Sequence, residues 1–365
     1  MFASILAASA AVLGLAAGYA IPNDDGFPNP NAQQLLDIEN QADGRLSNLP
    51  PPPTLSQAGI ANFQLIAFNE NFEVAFFSSL VENITNHVPG FEANKWNEGK
   101  ILEILKTVKA QEEIHAITAI ETLKHFNASL VPEPCTYKFP TNSLEGAISL
   151  AETFTALVLG TLQDAAQSFA QNGDDGPVRT ISSVIGQEGE QNGFYQFILD
   201  RKPSEKPFLT TSTAAFAYSA LQQFVLSCPF DVADIPLPIF PPLNVLTPAQ
   251  PKDTNLTFSA DLSGNSQYHN GCDISGLFIT YLVGQQLPIS VPITNPKWDG
   301  SVLTFNALFP FTENIMEGFS IAALTNASDF ASADAMTGRT IAAPGLIQVN
   351  ELLSDTHAKG VENGK

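Results

Sequence analysis

The chain has 365 residues, 44% hydrophobic and 15% charged, enough to bury a sizeable core and to fill two domains. Its 37 acidic side chains outnumber 16 Lys and Arg, and the net charge of -21 is scattered rather than gathered in a tail. Such a surface repels phosphate backbones and anionic bilayers, so a nucleic-acid partner is excluded and the acidity reads as solubility.

The first 20 residues, MFASILAASAAVLGLAAGYA, carry no charged side chain and end in small residues, with Gly18 and Ala20 where a signal peptidase would read. They predict a signal peptide over 1–20 and a secreted chain with no membrane association after cleavage, because no later stretch is long and apolar enough to span a bilayer. Residues 21–53 form a Pro- and Asn-rich arm ending in LPPPPT, expected to be extended or disordered.

Residues 54–228 have a helical pattern, with long helices expected over 55–86, 99–127, 143–171 and 177–200 and a fifth, apolar nearly all round, over 209–227. Apolar residues recur at three and four on each long helix, for example Phe63, Ala67, Val74 and Phe77 on the first. Each of these seams also carries a Glu near its middle: Glu70, Glu112, Glu152 and Glu188. His115 follows Glu112 by three and shares its face, whereas Gln191 stands at the same spacing after Glu188. Four carboxylates cannot share a dry core with one imidazole unless protons or cations neutralise them. Of the neighbouring acids, Glu73 is one step off the seam, and Glu113 and Glu190 are expected on a wet face.

The connections constrain the topology. QNGDDGP is a tight turn, so the third and fourth helices are expected to be antiparallel. ASLVPEPCTYKFPTN, between the second and third, can span about 50 Å. That is long enough to run the length of a helix of about 40 Å. The expected fold class is therefore α+β multidomain: a ferritin-like four-helix bundle plus a fifth helix, then a small antiparallel β-sandwich. A Pro-rich linker over 229–252 leads to alternating, β-rich runs over 253–352 such as NLTFSADLSG and VLTFNALFPF, and a polar tail over 353–365 closes the chain.

Sequons at Asn83, Asn127, Asn255 and Asn326 are candidate N-glycosylation sites of a secreted protein. Three cysteines in an oxidising compartment imply one bridge. Cys135 in the crossover and Cys228 after the fifth helix both flank the helical domain, which predicts their pairing and leaves Cys272 free. His87, His125, His269 and His357 are expected at the surface.

The stretches FNENFEVAFF, QEEIHA, LAETFTALVLG and GQEGEQNGFY, with the cysteine contexts EPCTYKFP and LSCP, resemble the ferritin-like domain of secreted fungal proteins, the late sexual development proteins and their stress-response relatives. The resemblance covers about half the chain. It implies a role in fungal reproduction or stress. The seam residues themselves, Glu70, Glu112, His115, Glu152 and Glu188 with Gln191 at the rim, form a candidate carboxylate metal centre, and these ligands suit iron or manganese. The sequence departs from the full two-metal pattern at Gln191, where the second His would stand. Two readings follow. One is a metal-binding protein whose activity, if it has one, is of oxidase or peroxide-consuming type. The other is a structural or adhesive wall glycoprotein that uses the bundle as a metal-free scaffold.

Overall fold

The structure is a computed structural model and describes residues 18–93, 96–350 and 353. The predicted signal peptide lies almost wholly outside the described residues, as do His357 and nearly all of the polar tail. Among the described residues no helix is long and apolar enough to cross a membrane.

There are four long helices, α2 (Gln57–Thr85), α3 (Glu98–His125), α4 (Leu144–Gln171) and α5 (Val178–Ile198), preceded by a short α1 (Ala32–Gln41), and the first three of the long ones start on side-chain caps. The side chains of Ser56, Asn97 and Ser143 accept from the backbone N–H groups of Gly59, Lys100 and Gly146, satisfying donors that a helix start leaves free. Asp174, in the turn between α4 and α5, is buried and accepts from Ser56, which ties that turn to the start of α2. The fifth long helix is shorter than its apolar run suggests: α6 spans only Ala214–Leu221. The chain then leaves the helix, and β2 (Val225–Ser227) pairs with β1 (Thr136–Tyr137) of the crossover.

The segment between α3 and α4 runs along α2. The carbonyl of Leu130 accepts from Gln64, that of Pro132 from Asn71, and Phe139 packs on Phe76 at 5.3 Å. The segment ends where Leu144 donates its N–H to Gly90, in the connection between α2 and α3. Consequently α3 and α4 start at the same end of the helical layer.

The arm is not disordered. Asn31 and Gln34 form a capping box that starts α1, and Phe27, Ile38 and Ala42 bury against Val74, Ala110, Ala116 and Ile117 of α2 and α3. Its apolar residues are few, but they meet a prepared surface. The salt-bridged pair Lys109–Asp25 adds a polar tie, and Lys109 also pairs with Glu113, each at 2.6 Å. Glu113 is therefore buried and not on a wet face, whereas Glu190 is exposed as expected.

Two antiparallel four-stranded sheets follow. One has the order β3 (Asn244–Val245), β4 (Thr254–Asp261), β8 (Val302–Phe309), β7 (Thr294–Asp299). The other has β10 (Thr340–Val349), β9 (Gly318–Thr325), β5 (Phe278–Val283), β6 (Ile289–Pro292). Phe258, Leu303 and Phe305 from the first join Ile279, Tyr281 and Leu324 from the second in one core. The linker contributes to this half, because β3 pairs with β4 and Leu243 is buried in the core.

The second sheet is covered on its other face too. Leu282, Phe319 and Ile321 pack on Ala156, Leu157, Phe216 and Ala220 of α4 and α6, so every residue of β9 is buried. Gly160 permits the close approach of the loop that links these layers: a Cβ there would lie 2.4 Å from the Thr210 carbonyl oxygen.

Candidate metal centre

The carboxylates of Glu70, Glu112 and Glu188 and the imidazole of His115 each offer a ligand atom, and these atoms lie within 4.8 Å of one another. They come from α2, α3 and α5. His115 Nδ1 is 2.9 Å from Glu112 Oε2, 3.7 Å from Glu70 Oε2 and 3.9 Å from Glu188 Oε1. The three carboxylates are 0–1% exposed, while the His115 side chain keeps 15%. Gln191 belongs to the same site: its Nε2 donates to Glu112 Oε1 at 2.8 Å and to Gln111 Oε1 at 3.1 Å.

Glu152 is not part of the cluster. It is fully buried, but its Oε2 accepts from Arg201 Nη1 at 2.9 Å and its Oε1 from Gln196 Nε2 at 3.4 Å. The reason is depth along the helix rather than face. Glu112 lies 14 residues into α3 and Glu152 only 8 into α4, and the two helices start at the same end. At 1.5 Å per residue, Glu152 sits about 9 Å too near that end. Further along α4, Val158 and Leu162 instead pack with Phe63 and Ile66.

Glu73 supplies the acid that the seam pattern passes over. It is 1% exposed, accepts from Asn69 Nδ2 at 2.9 Å, and leaves its Oε2 with no hydrogen-bond partner. Its spacing of three from Glu70 was the signal, since it puts both on one helical face. Tyr195 is also buried there, its hydroxyl without a hydrogen-bond partner and its ring stacked on Phe77 at 6.1 Å.

The electrostatics are those of acids crowded out of water. Burial pushes the Glu70 carboxyl up to about 7; His115 opposes the rise and Glu112 reinforces it. Burial, then the neighbouring carboxylates, hold Glu188 and Glu73 well above the ordinary carboxylate range. Burial draws His115 down, but Glu112 and Glu70 outweigh it and the net direction is up. Tyr195 is raised by burial and by Glu112, Glu73 and Glu188.

This donor set fits a cation. Among the described residues Glu70 Oε2 and both Glu188 oxygens find no hydrogen-bond partner, although buried polar atoms seldom go unsatisfied. Carboxylate oxygens with one imidazole nitrogen suit divalent ions such as manganese, iron or zinc. The cluster could thus hold a metal ion.

The other sequence-derived sites lie apart. Cys135 and Cys228 are joined by a disulfide, and Cys272 is a free thiol. Asn127, Asn255 and Asn326 are exposed, and Asn83 is half-buried in the last turns of α2. His87, His125 and His269 are exposed. No protein-family model matches the chain, and no curated protein is significantly similar to it in sequence.

Proposed function

We propose that this chain is a secreted metal-binding protein with a ferritin-like helical half, whose Glu70, Glu112, His115 and Glu188 hold one iron or manganese ion. The observation that carries the reading is the convergence of these four groups within 4.8 Å in a buried interior, with Glu188 lacking any other partner. The crossover along α2 and the common starting end of α3 and α4 support the ferritin-like topology. A single tight position, rather than two equal ones, follows from Glu152 being engaged by Arg201 and from Gln191 standing in place of a second His. Glu73 is the remaining acid for a second, weaker position. A redox-active ion bound there would supply one-electron chemistry of the oxidase or peroxide-consuming kind. The apolar leader, the bridge Cys135–Cys228 and the exposed sequons support a secreted glycoprotein. The fungal developmental or stress role rests on the family resemblance, and association with the cell wall on the sequons, the arm and the β-rich half.

The test is metal analysis of the purified full chain, followed by titration with Fe2+ and Mn2+. One ion per chain is expected. Removing groups that merely orient a ligand already costs about 10–100-fold in affinity, so His115→Ala and Glu188→Gln should cost at least that. Glu190→Gln, on the exposed face, should leave the content unchanged. The scaffold reading has its own support in the Glu152–Arg201 pair, which turns a would-be ligand into a structural tie. It prevails if the wild-type chain takes up neither ion.

A further inference from the structure

A cavity of about 480 Å³ reaches from the surface to the Glu70 and His115 side of the centre. Its volume lies within the range of about 300–1,000 Å³ typical of small-molecule sites. The walls are apolar, formed by Phe63, Ile66, Leu162, Ile181 and Val184 of the long helices. The arm contributes Leu46, Leu49 and Pro50 to the lining, the last two exposed to solvent. Polar side chains interrupt these walls, Thr118 and Thr122 among them. Glu70 and His115 form the deep end, and Thr180, Glu121 and His125 stand among the outer residues.

We propose that this cavity admits a small molecule with an aliphatic body and one uncharged oxygen-bearing end, an alcohol or aldehyde, whose oxygen meets the centre at Glu70 and His115. The inference rests on the metal reading, because it makes the cavity the route by which a ligand reaches that ion. Three observations carry it. The lining is mostly apolar, with hydroxyls such as Thr118 and Thr122 in the minority, so the body of the ligand is largely apolar. The deep end offers the Glu70 carboxylate and the partly exposed face of His115, so one end of the ligand is polar. A charged head would have to shed its water among mostly apolar walls, a cost that a neutral hydroxyl largely escapes, so the uncharged end is preferred.

The experiment is calorimetric titration of the full chain with 1-hexanol, 1-octanol and 1-decanol, and with octanoate as the charged counterpart, beside metal analysis of the same samples. Affinity should rise about fourfold per added methylene until the cavity is filled. Octanoate should bind more weakly than 1-octanol. Thr180→Trp narrows the mouth at an exposed position and Val184→Trp fills the wall; both should abolish alcohol binding and leave the metal content intact. Metal uptake with no alcohol binding overturns this inference and leaves the metal reading standing. Alcohol binding that both tryptophan variants retain overturns it as well. Alcohol binding by a chain that takes no metal removes the metal reading while keeping the cavity as a ligand site.

Discussion

Glu152→Gln should leave metal binding intact and change the pH dependence of stability. Glu152 is fully buried, and Arg201 beside it is 16% exposed at the side chain. Burial lifts the Glu152 carboxyl from an ordinary value of 4.5 to about 7, against the pull of Arg201 and with a push from Glu205. Between those two values the folded chain still holds a proton that the unfolded chain has released. The associated stabilisation is fully present below about 4.5 and is lost as pH rises through about 7. At about 1.4 kcal/mol per pH unit, the gap sets an upper limit of about 3.5 kcal/mol on the loss across this window. Glutamine keeps the acceptor for Arg201 and removes the titration, so the variant's stability should fall less with pH than that of the wild type. Arg201→Met is the opposing perturbation. It leaves the acid buried without its partner, and at pH 8 should cost about 3–5 kcal/mol, less whatever the carboxyl recovers by taking up a proton. Urea unfolding at pH 5, 6.5 and 8, with metal analysis of each sample, reads both effects. Loss of metal from Glu152→Gln would show the residue to be a ligand and refute the argument from helix depth. An unchanged pH slope would refute the assigned protonation.

Three further outcomes test the parts of the fold that hold the centre in place. Replacing Cys135 and Cys228 by Ser should cost about 2–5 kcal/mol and lower the melting temperature, because the bridge ties the crossover to the strand after α6 across 93 residues; an unchanged unfolding curve counts against that role. Lys109→Met strands Glu113 and Asp25, and, since Asp25 is 30% exposed, the cost should be nearer about 1–3 kcal/mol than the full figure for a buried pair. Limited proteolysis should then cut within 21–53 sooner than in the wild type, and an equally resistant arm would show that its apolar contacts alone secure it. Asp164 accepts from the Ala214 N–H and is pushed up to about 7 by burial and, despite that N–H, by Asp334. Asp164→Asn keeps the acceptor, so it should stabilise the chain above pH 7 and do little below pH 4; stabilisation of equal size at both would contradict the raised carboxyl.

The periodicity of the sequence was enough to determine the four long helices, their apolar seams and the presence of buried Glu and His on them. A pattern repeating at three and four records which face of a helix is inward, and Glu70, Glu112, His115 and Glu188 are inward as the pattern requires. The β-rich second half was legible for the same reason, from residues alternating across strands such as β4 and β8. What periodicity cannot record is height along an axis. Glu152 has the correct face and the wrong level, and only the shared starting end of α3 and α4 reveals the offset. Nor does a local pattern show what covers a segment from outside. The arm looks polar and Pro-rich in isolation, yet Phe27 and Ile38 find partners on α2 and α3, and Leu46 to Pro52 become the wall of a cavity. Burial of Glu113 has the same origin, since its partner Lys109 is local but the Asp25 that completes the group lies 84 residues before that lysine. Face is a property of a few consecutive residues; depth and cover arise only when distant segments pack together.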